Sequence, residues 1–505
     1  MSDKYFVLLF PTQLFDNIKL YDDINCKYIY LIEEPIYFTK FKFHKLKLIL
    51  HRSSMKYYFD FLSNKVKSNI KYINFDDLDY NDIFNDMKKK DITTLKFFDP
   101  VEHTLLDKIE KLCNKFKFDM KMYNSLSFIE TLDDLDDYYN NETNQKNFYH
   151  DSSFYRFQRR KLNILLDPND NNKPLYGQWS FDKENRNKFD KSYKQPKELK
   201  IQDNKYITEA RKYVNKHFKD NFGDDDYMVY PVDHKSAKKL FNDFLNYRLD
   251  TYGKYQDAVS NKIVFGSHSV LSSSINIGLI TPKYIIKKVL EYFYNLSEKD
   301  RKEVINSVEG FIRQVIGWRS FTRFMYQYNP DMYDMNRLKH KNKINDNWYN
   351  ATTDIKPIDD LINKAKKYAY LHHIERLMYI GNFSLLTNID PKEIYKWFMI
   401  CFIDSYEWVM VSNVMGMSQF SLTNISMMTR PYFSSSNYIL KMSDYKKEDW
   451  CEIWDGLYYK FISDNKDIFK KIYATASLVG HWNRKSKTDQ KELLKIANDY
   501  IKEYI

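Results

Sequence analysis

The sequence predicts an α/β domain built on a parallel sheet, followed across a polar segment by a larger all-α domain. Three observations predict it. Short apolar runs alternate with amphipathic helical patterns through the first 130 residues. Helical spacing alone prevails from about residue 205. The chain, at 505 residues, is longer than one core supports, so two or more domains are expected.

The elements follow in order. Tyr5 to Phe10, Tyr28 to Ile32, Ile70 to Phe75, Leu95 to Phe98 and Met120 to Tyr123 read as short buried strands. Helical patterns such as His44 to Leu62 lie between them, and this alternation implies a parallel sheet. No glycine precedes Gly177, so the domain has none of the glycine-rich loops that carry backbone up to a phosphate. Residues 131–204 are polar, with Asp-Asp, Asn-Asn and Pro-Asn-Asp-Asn-Asn runs, and read as a linker between domains at 1–130 and 205–505. Within the linker, Phe154 to Arg160 and Gln178 to Arg186 are rich in arginine and aromatics. In the last region Thr281-Pro282 supplies a helix cap and first turn ahead of Ile285, Ile286, Val289, Leu290 and Phe293. Asp390 to Glu393 opens a helix bearing Ile394, Trp397, Phe398 and Cys401. Phe311, Ile312, Val315, Ile316 and Phe321 mark another buried helix. There is no internal repeat.

Composition excludes several classes. With 43% hydrophobic and 17% aromatic residues the chain is too apolar to be disordered. Four cysteines cannot make a disulfide framework, which points to a reducing compartment. The N-terminal apolar run is too short for a signal peptide and Pro11 ends it. No stretch of about 18 apolar residues predicts a membrane span, so the chain reads as soluble and intracellular, with no membrane partner. The 79 Lys plus Arg against 68 Asp plus Glu leave a formal charge of +11. Lys, Asn, Ile, Tyr and Phe are over-used together, as in an A/T-rich genome, so part of that excess is codon bias. Nucleic acid is the partner class a functional excess would serve.

Four features carry chemistry. The loop Phe265 to Ile280 brings glycines, hydroxyls and a histidine up to a helix start, where an anion can be held; its bland reading is a serine-rich turn with capping hydroxyls. His372 and His373 are adjacent, so they face different sides of a helix and cannot chelate one metal as an i, i+4 pair does. No metal site is expected. Arg376 and Asp404 are charges in apolar surroundings, which makes either a mutual ion pair or a cofactor between them the reason for both. Trp318, Trp348, Trp397 and Trp408 fall in the helical region, as core residues or as an electron path.

The order of these segments is recognisable. Glu309-Gly-Phe-Ile-Arg-Gln-Val-Ile-Gly-Trp-Arg319 precedes His372-His-Ile-Glu-Arg-Leu-Met378, then Asp404-Ser-Tyr-Glu-Trp408, Ser412-Asn-Val-Met-Gly-Met417, Arg430-Pro-Tyr432 and Tyr438 to Tyr445. Upstream, His51-Arg-Ser-Ser-Met55, Trp179 to Arg186, Asp220-Asn-Phe-Gly223 and Tyr252 to Ala258 agree. The series, over nearly the whole chain, resembles the photolyase-related branch of the photolyase/cryptochrome family, which includes prokaryotic (6-4) photolyases.

The resemblance implies a protein that binds FAD in its helical domain and uses blue light to repair ultraviolet-damaged DNA by electron transfer from the excited reduced flavin. It implies that Tyr255, His268, Ser269, Leu271, Ser272 and Asn276 hold the phosphates and ribityl chain, with Arg376, Asp404 and Asn413 near the flavin ring. His373, with His372, is implied as the proton donor that a (6-4) photoproduct requires. Trp397 and Trp348 are implied to reduce the flavin, and Phe398 stands where relatives often carry tyrosine. Arg186, with Lys183 and Arg160, is implied to contact damaged DNA; Arg156 and Arg159 are weaker candidates. The other readings of the same fold are a cryptochrome-like photoreceptor without repair, a cyclobutane-dimer photolyase, and a cofactor-free nucleic-acid protein. A monomer is expected. The composition suits the genome of a large DNA virus.

The chain departs from the family pattern twice. Relatives hold a 4Fe–4S cluster on four cysteines, but here Ala351 to Pro357 and Lys446 to Trp450 lack them and only Cys451 falls at a matching position. One thiolate cannot hold a cluster that needs four, so its absence is expected. Relatives also carry Gly-Asp-Gln-Leu after the first strand, whose Asp helps bind a lumazine antenna; this chain has Pro11-Thr-Gln-Leu14, leaving Glu33 or Glu34 as the remaining contact and the antenna open.

Overall fold

The structure, a computed structural model, describes residues 4–197 and 199–505. By contacts these fall into two compact units. The first takes residues up to Leu135, residues 199–246, and Ser269–Asn295; the second takes Asp136–Lys197, Tyr247–His268 and Leu296–Ile505.

The first unit is the α/β domain. Its strands are β1 (Tyr5–Leu9), β2 (Cys26–Ile32), β3 (Asn69–Ile73), β4 (Thr94–Phe98) and β5 (Asp119–Tyr123). They pair in the order β3-β2-β1-β4-β5, every pair parallel. Each expected strand appears, with ends shifted by no more than a turn residue or two. The central strand β1 is buried along its whole length, and the edges β3 and β5 are partly open. That is why β1 is a continuous apolar run while the edges carry Lys71, Asp119 and Lys121. The helix Lys45–Ser63 makes the crossover from β2 to β3, capped by the ring of His44, which accepts the Leu46 N–H at 3.1 Å. Strand order reverses direction at β1, and the crevice beyond the ends of β1 and β4 is where such sheets take ligands. Here Gln13 spans that position, donating from Nε2 to the Phe98 carbonyl at 2.8 Å.

The units do not follow linear boundaries at 130 and 204. The helices Lys205–His217 and Pro282–Asn295 belong with the sheet. Lys205–His217 packs on Lys45–Ser63, where Arg52 pairs with Glu209 at 2.7 Å. Thr281 caps Pro282–Asn295 as expected, its Oγ1 accepting the Tyr284 N–H at 3.3 Å.

The second unit is mostly helical. The expected helix around Phe311 and Phe321 is one continuous run, Glu298–Ile312 and Arg319–Tyr328 joined by a π-helical turn at Arg313–Trp318. Asp390 caps Pro391–Cys401 by accepting the Lys392 N–H. The polar 136–197 stretch is anchored on this unit. Buried Glu309 accepts from the Tyr155 hydroxyl (2.8 Å), the Phe181 N–H (2.9 Å) and Arg313 Nε (3.1 Å), and Arg313 reaches Asp182 at 3.1 Å. A carboxylate and guanidinium at i and i+4 of one helix thus hold two segments far apart in sequence.

Candidate functional site

Besides His150–Phe154, three π-helical turns lie in the second unit: Arg313–Trp318, Glu375–Gly381 and Ser412–Ser418. A π turn widens the helix by one residue and redirects side chains, which is why such turns recur at functional sites. Two of them wall a cavity of about 150 Å³ lined by Gln314, Trp318, Arg319, Thr322, His373, Val409, Asn413 and Met417. His373 lies two residues ahead of the third. Trp318 is fixed from behind by the ring of His150, stacked at 3.8 Å and 7°.

His373 is open to solvent along this cavity while its partner His372 is buried. The surrounding protein still limits hydration of the His373 ring. That desolvation, with the Arg376 charge, pushes its pKa down to about 4, against a weaker pull from Asp182. His372 is also held well below its usual value, by burial first and then by its neighbour His268.

Arg376 and Asp404 meet directly, Nη2 to Oδ1 at 2.9 Å, with both side chains nearly buried. Arg376 Nε also donates to the Leu371 carbonyl at 2.8 Å, and the guanidinium lies over Phe402 at 4.1 Å. The mutual ion pair is therefore formed. Asn413 donates to the Val409 carbonyl one turn earlier at 2.8 Å and lines the cavity. An arginine, a carboxylate and an amide suit the polar edge of a flavin ring, which carries donors and acceptors in alternation. The cavity has the size of one ring rather than of a dinucleotide.

Other expected cofactor residues are dispersed or engaged. Tyr255 donates to Asp190 at 2.7 Å. Both ring nitrogens of His268 face carbonyls, Phe265 O at 3.1 Å and Gln256 O at 3.0 Å, so the ring is tied to backbone. Ser269, Leu271, Ser272 and Asn276 belong to the first unit, where Leu271 is fully buried and Ser272–Asn276 forms a short helix.

Trp397 and Trp348 are fully buried and in edge-to-face contact. Among the expected DNA contacts, Lys183, Arg186 and Arg160 are exposed, and Arg186 pairs with Asp182. Arg159 is a correction. It is buried and spends its donors on the carbonyls of Ile164, Leu165 and Trp179, so it offers nothing to a phosphate.

The antenna contacts do not fit a ligand. Glu33 is saturated: Oε1 accepts from Arg52 at 2.7 Å and Tyr72 at 2.6 Å, and Oε2 from the Phe75 N–H at 3.2 Å and Tyr213 at 3.3 Å. Glu34 pairs with Lys108 at 2.8 Å and takes the Tyr80 hydroxyl. An iron–sulfur cluster has no ligand set either. Cys26 and Cys113 lie in the first unit, Cys401 and Cys451 in the second, all buried. Among the described residues no group of three or more His, Cys, Asp or Glu is placed to hold a metal ion. No described helix is long and apolar enough to cross a membrane.

Gln314, Arg319 and Thr322 were not singled out as site residues, although the first two lie within the Glu309–Arg319 segment. A polar residue on a helix reads as solvent-facing, and nothing in a sequence marks a π turn.

The chain is similar to known proteins along its length. The family described as "Deoxyribodipyrimidine photo-lyase-related protein" matches residues 7–230. A (6-4) photolyase of Agrobacterium fabrum is 28% identical over 516 residues, 98% of this chain and 99% of that one. An uncharacterized protein, R855, of Acanthamoeba polyphaga mimivirus is 46% identical over 24% of this chain and 94% of its own length. Among solved structures, a class III photolyase from Agrobacterium tumefaciens (TM-score 0.58, 14% identity, covering 99% and 98% of the two chains) shares the fold. So does a cryptochrome of Synechocystis (TM-score 0.60, 14% identity, 99% of both).

Proposed function

We propose that this chain, which belongs to the photolyase-related branch of the photolyase/cryptochrome family, is a light-driven flavoprotein that repairs (6-4) pyrimidine–pyrimidone photoproducts in DNA. The observation that carries this reading is His373, open to a one-ring cavity beside Asn413 and three residues ahead of the Arg376–Asp404 pair. A cyclobutane dimer splits on electron transfer alone. A (6-4) product must also move an oxygen, and that step needs a proton at the departing hydroxyl. An imidazole on the cavity wall meets that need. The whole-length similarity to a (6-4) photolyase agrees.

Arg376, Asp404 and Asn413 are the residues that would hold the flavin ring. Reduced FAD, when bound, supplies the light-driven electron. The chain's own part is electrostatic and positional. Arg376 would supply a positive charge to stabilise electron density on the bound ring, and Asp404 fixes that guanidinium in place. Trp318 and Met417 present apolar surface to a flipped base and exclude water from it. His373 would hold the proton once the charge of bound DNA raises its pKa.

The test is a repair assay on oligonucleotides bearing one defined lesion, with photoreduced protein under blue light. Restoration of (6-4) lesions but not of cyclobutane dimers is expected. His373→Ala is expected to keep FAD and lose repair, and normal repair by that variant would remove His373 from its role. Flavin photoreduction with neither lesion restored would assign the photoreceptor reading instead.

A further inference from the structure

Glu375 is fully buried one helical turn from the paired histidines, and the proposed chemistry makes no use of it. Its two oxygens meet the ammonium of Lys364, on the helix Lys356–Tyr368, at 2.7 and 3.0 Å. Oε2 also accepts the backbone N–H of His372 at 3.0 Å, so the carboxylate caps the segment from which both histidines project. Oε1 stands 3.7 Å from Nε2 of the same histidine. On its other side the His372 ring stacks against His268 at 4.8 Å and 18°. His372 Nδ1 is buried and meets no protein partner.

An uncharged imidazole carries one proton, on one nitrogen or the other, and its surroundings choose which. With the proton on Nε2, an N–H faces the carboxylate. With the proton on Nδ1, a lone pair would face that carboxylate and a buried donor would go unmet, both of which cost free energy. The remaining charged and titratable neighbours are Lys364, His268, His373 and Arg376. Each disfavours a second proton on the ring, and none of them offers Nε2 a donor. We infer that Glu375 is a positioning residue that holds His372 in its Nε2–H form and thereby leaves Nδ1 as a bare acceptor for an O–H or N–H group of a bound ligand. Lys364 keeps the carboxylate ionised in its buried place. The inference deepens the proposed function, in which these histidines serve the lesion. The tautomer itself can be read without DNA, flavin or light.

The experiment is ¹⁵N NMR of protein labelled at histidine side chains, with His372 assigned by its loss in His372→Gln. Wild type is expected to show a protonated Nε2 and an unprotonated Nδ1. In Glu375→Gln the amide oxygen still accepts the His372 N–H, but the amide NH₂ can now donate to Nε2. The ring is then expected to shift toward Nδ1–H. Lys364→Arg, which keeps a cation on the carboxylate, is expected to keep the wild-type form. An Nδ1–H tautomer in wild type, or a switch in Lys364→Arg, would overturn the inference. So would an unchanged tautomer in Glu375→Gln. If Glu375→Gln does not fold, the wild-type and Lys364→Arg spectra decide. A protein that fails to repair (6-4) lesions yet shows this pattern would refute the function and leave the inference standing.

Discussion

Trp397 donates its indole N–H to the main-chain carbonyl of Trp348 at 3.0 Å, and the two rings meet edge to face at 5.9 Å. One contact therefore both ties two helices and sets the distance between two oxidisable rings. Trp397→Phe removes the donor and leaves that carbonyl unmet in a dry site. A loss of about 2 kcal/mol is expected in urea unfolding. In the flavin-loaded protein the same variant should slow photoreduction several-fold while FAD stays bound, read from the loss of the oxidised flavin absorbance under blue light.

Arg376 and Asp404 form a pair that is nearly dry, with side chains 13% and 12% exposed. Breaking such a pair from one side leaves a charge without its counterpart, whereas removing both ends does not. Asp404→Leu is expected to cost about 3 kcal/mol. The double variant Arg376→Met, Asp404→Leu should cost clearly less than the two single changes added. Chemical unfolding of the four proteins closes the cycle, and simple additivity would show that the pair is too well hydrated to matter.

Much of the fold was legible, for identifiable reasons. The strands stood out because the sheet's middle is buried on both faces, so β1 is an unbroken apolar run and β2 becomes one after Lys27. Asp390 and Thr281 marked helix starts because their side chains cap in the way the local chemistry requires. The Arg376–Asp404 pair was legible as two charges in apolar stretches. What stayed hidden depends on distant residues. Glu309 and Arg313 look like an ordinary surface i, i+4 pair, yet they are buried and bind Phe181 and Asp182, so the polar segment around them is anchored rather than loose. Arg159 looks like its neighbours Arg156 and Arg160, and only the folded path of residues 164–179 reveals the carbonyls that consume it.

Asp257 sits close to Asp182, with Arg186 and Arg313 near enough to oppose it, and burial above all raises its pKa to about 7. The folded value lies above the unfolded one, so the folded chain binds the extra proton between about pH 4 and 7. Stability contributed here is lost as pH rises through that window. Asp257→Asn should therefore change little at pH 4, gain steadily to pH 7, and hold a constant advantage of between about 1 and 4 kcal/mol above it. Urea unfolding at pH 4, 6 and 8 checks the trend; a gain confined to low pH would contradict it.

Arg186 is exposed, and its ion pair among the described residues is with the partly exposed Asp182 four residues earlier. Such an ion pair is weak and exchanges readily for a phosphate. Arg186→Ala is expected to weaken DNA binding regardless of sequence. It should also reduce the slope of log K against log salt by about 1, the signature of one lost phosphate contact. Fluorescence anisotropy with undamaged and damaged duplexes at several salt concentrations measures both. An unchanged slope would place DNA elsewhere.

His373 presents a final constraint. In the ligand-free chain its pKa is pushed down to about 4, because the enclosing protein and the Arg376 charge both disfavour the imidazolium, so the neutral ring prevails at pH 7. A role as proton donor requires that DNA itself change this. A bound lesion brings phosphates, whose negative charge favours the cationic ring and raises its pKa. Binding must then draw a proton from solvent at any pH between the free and the bound value. Calorimetric titration with lesion-bearing DNA in buffers of different ionisation enthalpy should show uptake of up to about one proton at pH 7. The uptake should shrink as pH rises, and His373→Ala should abolish it. Repair should fall over the same upper range. Binding without proton uptake, together with repair that rises with pH, would require a donor other than His373.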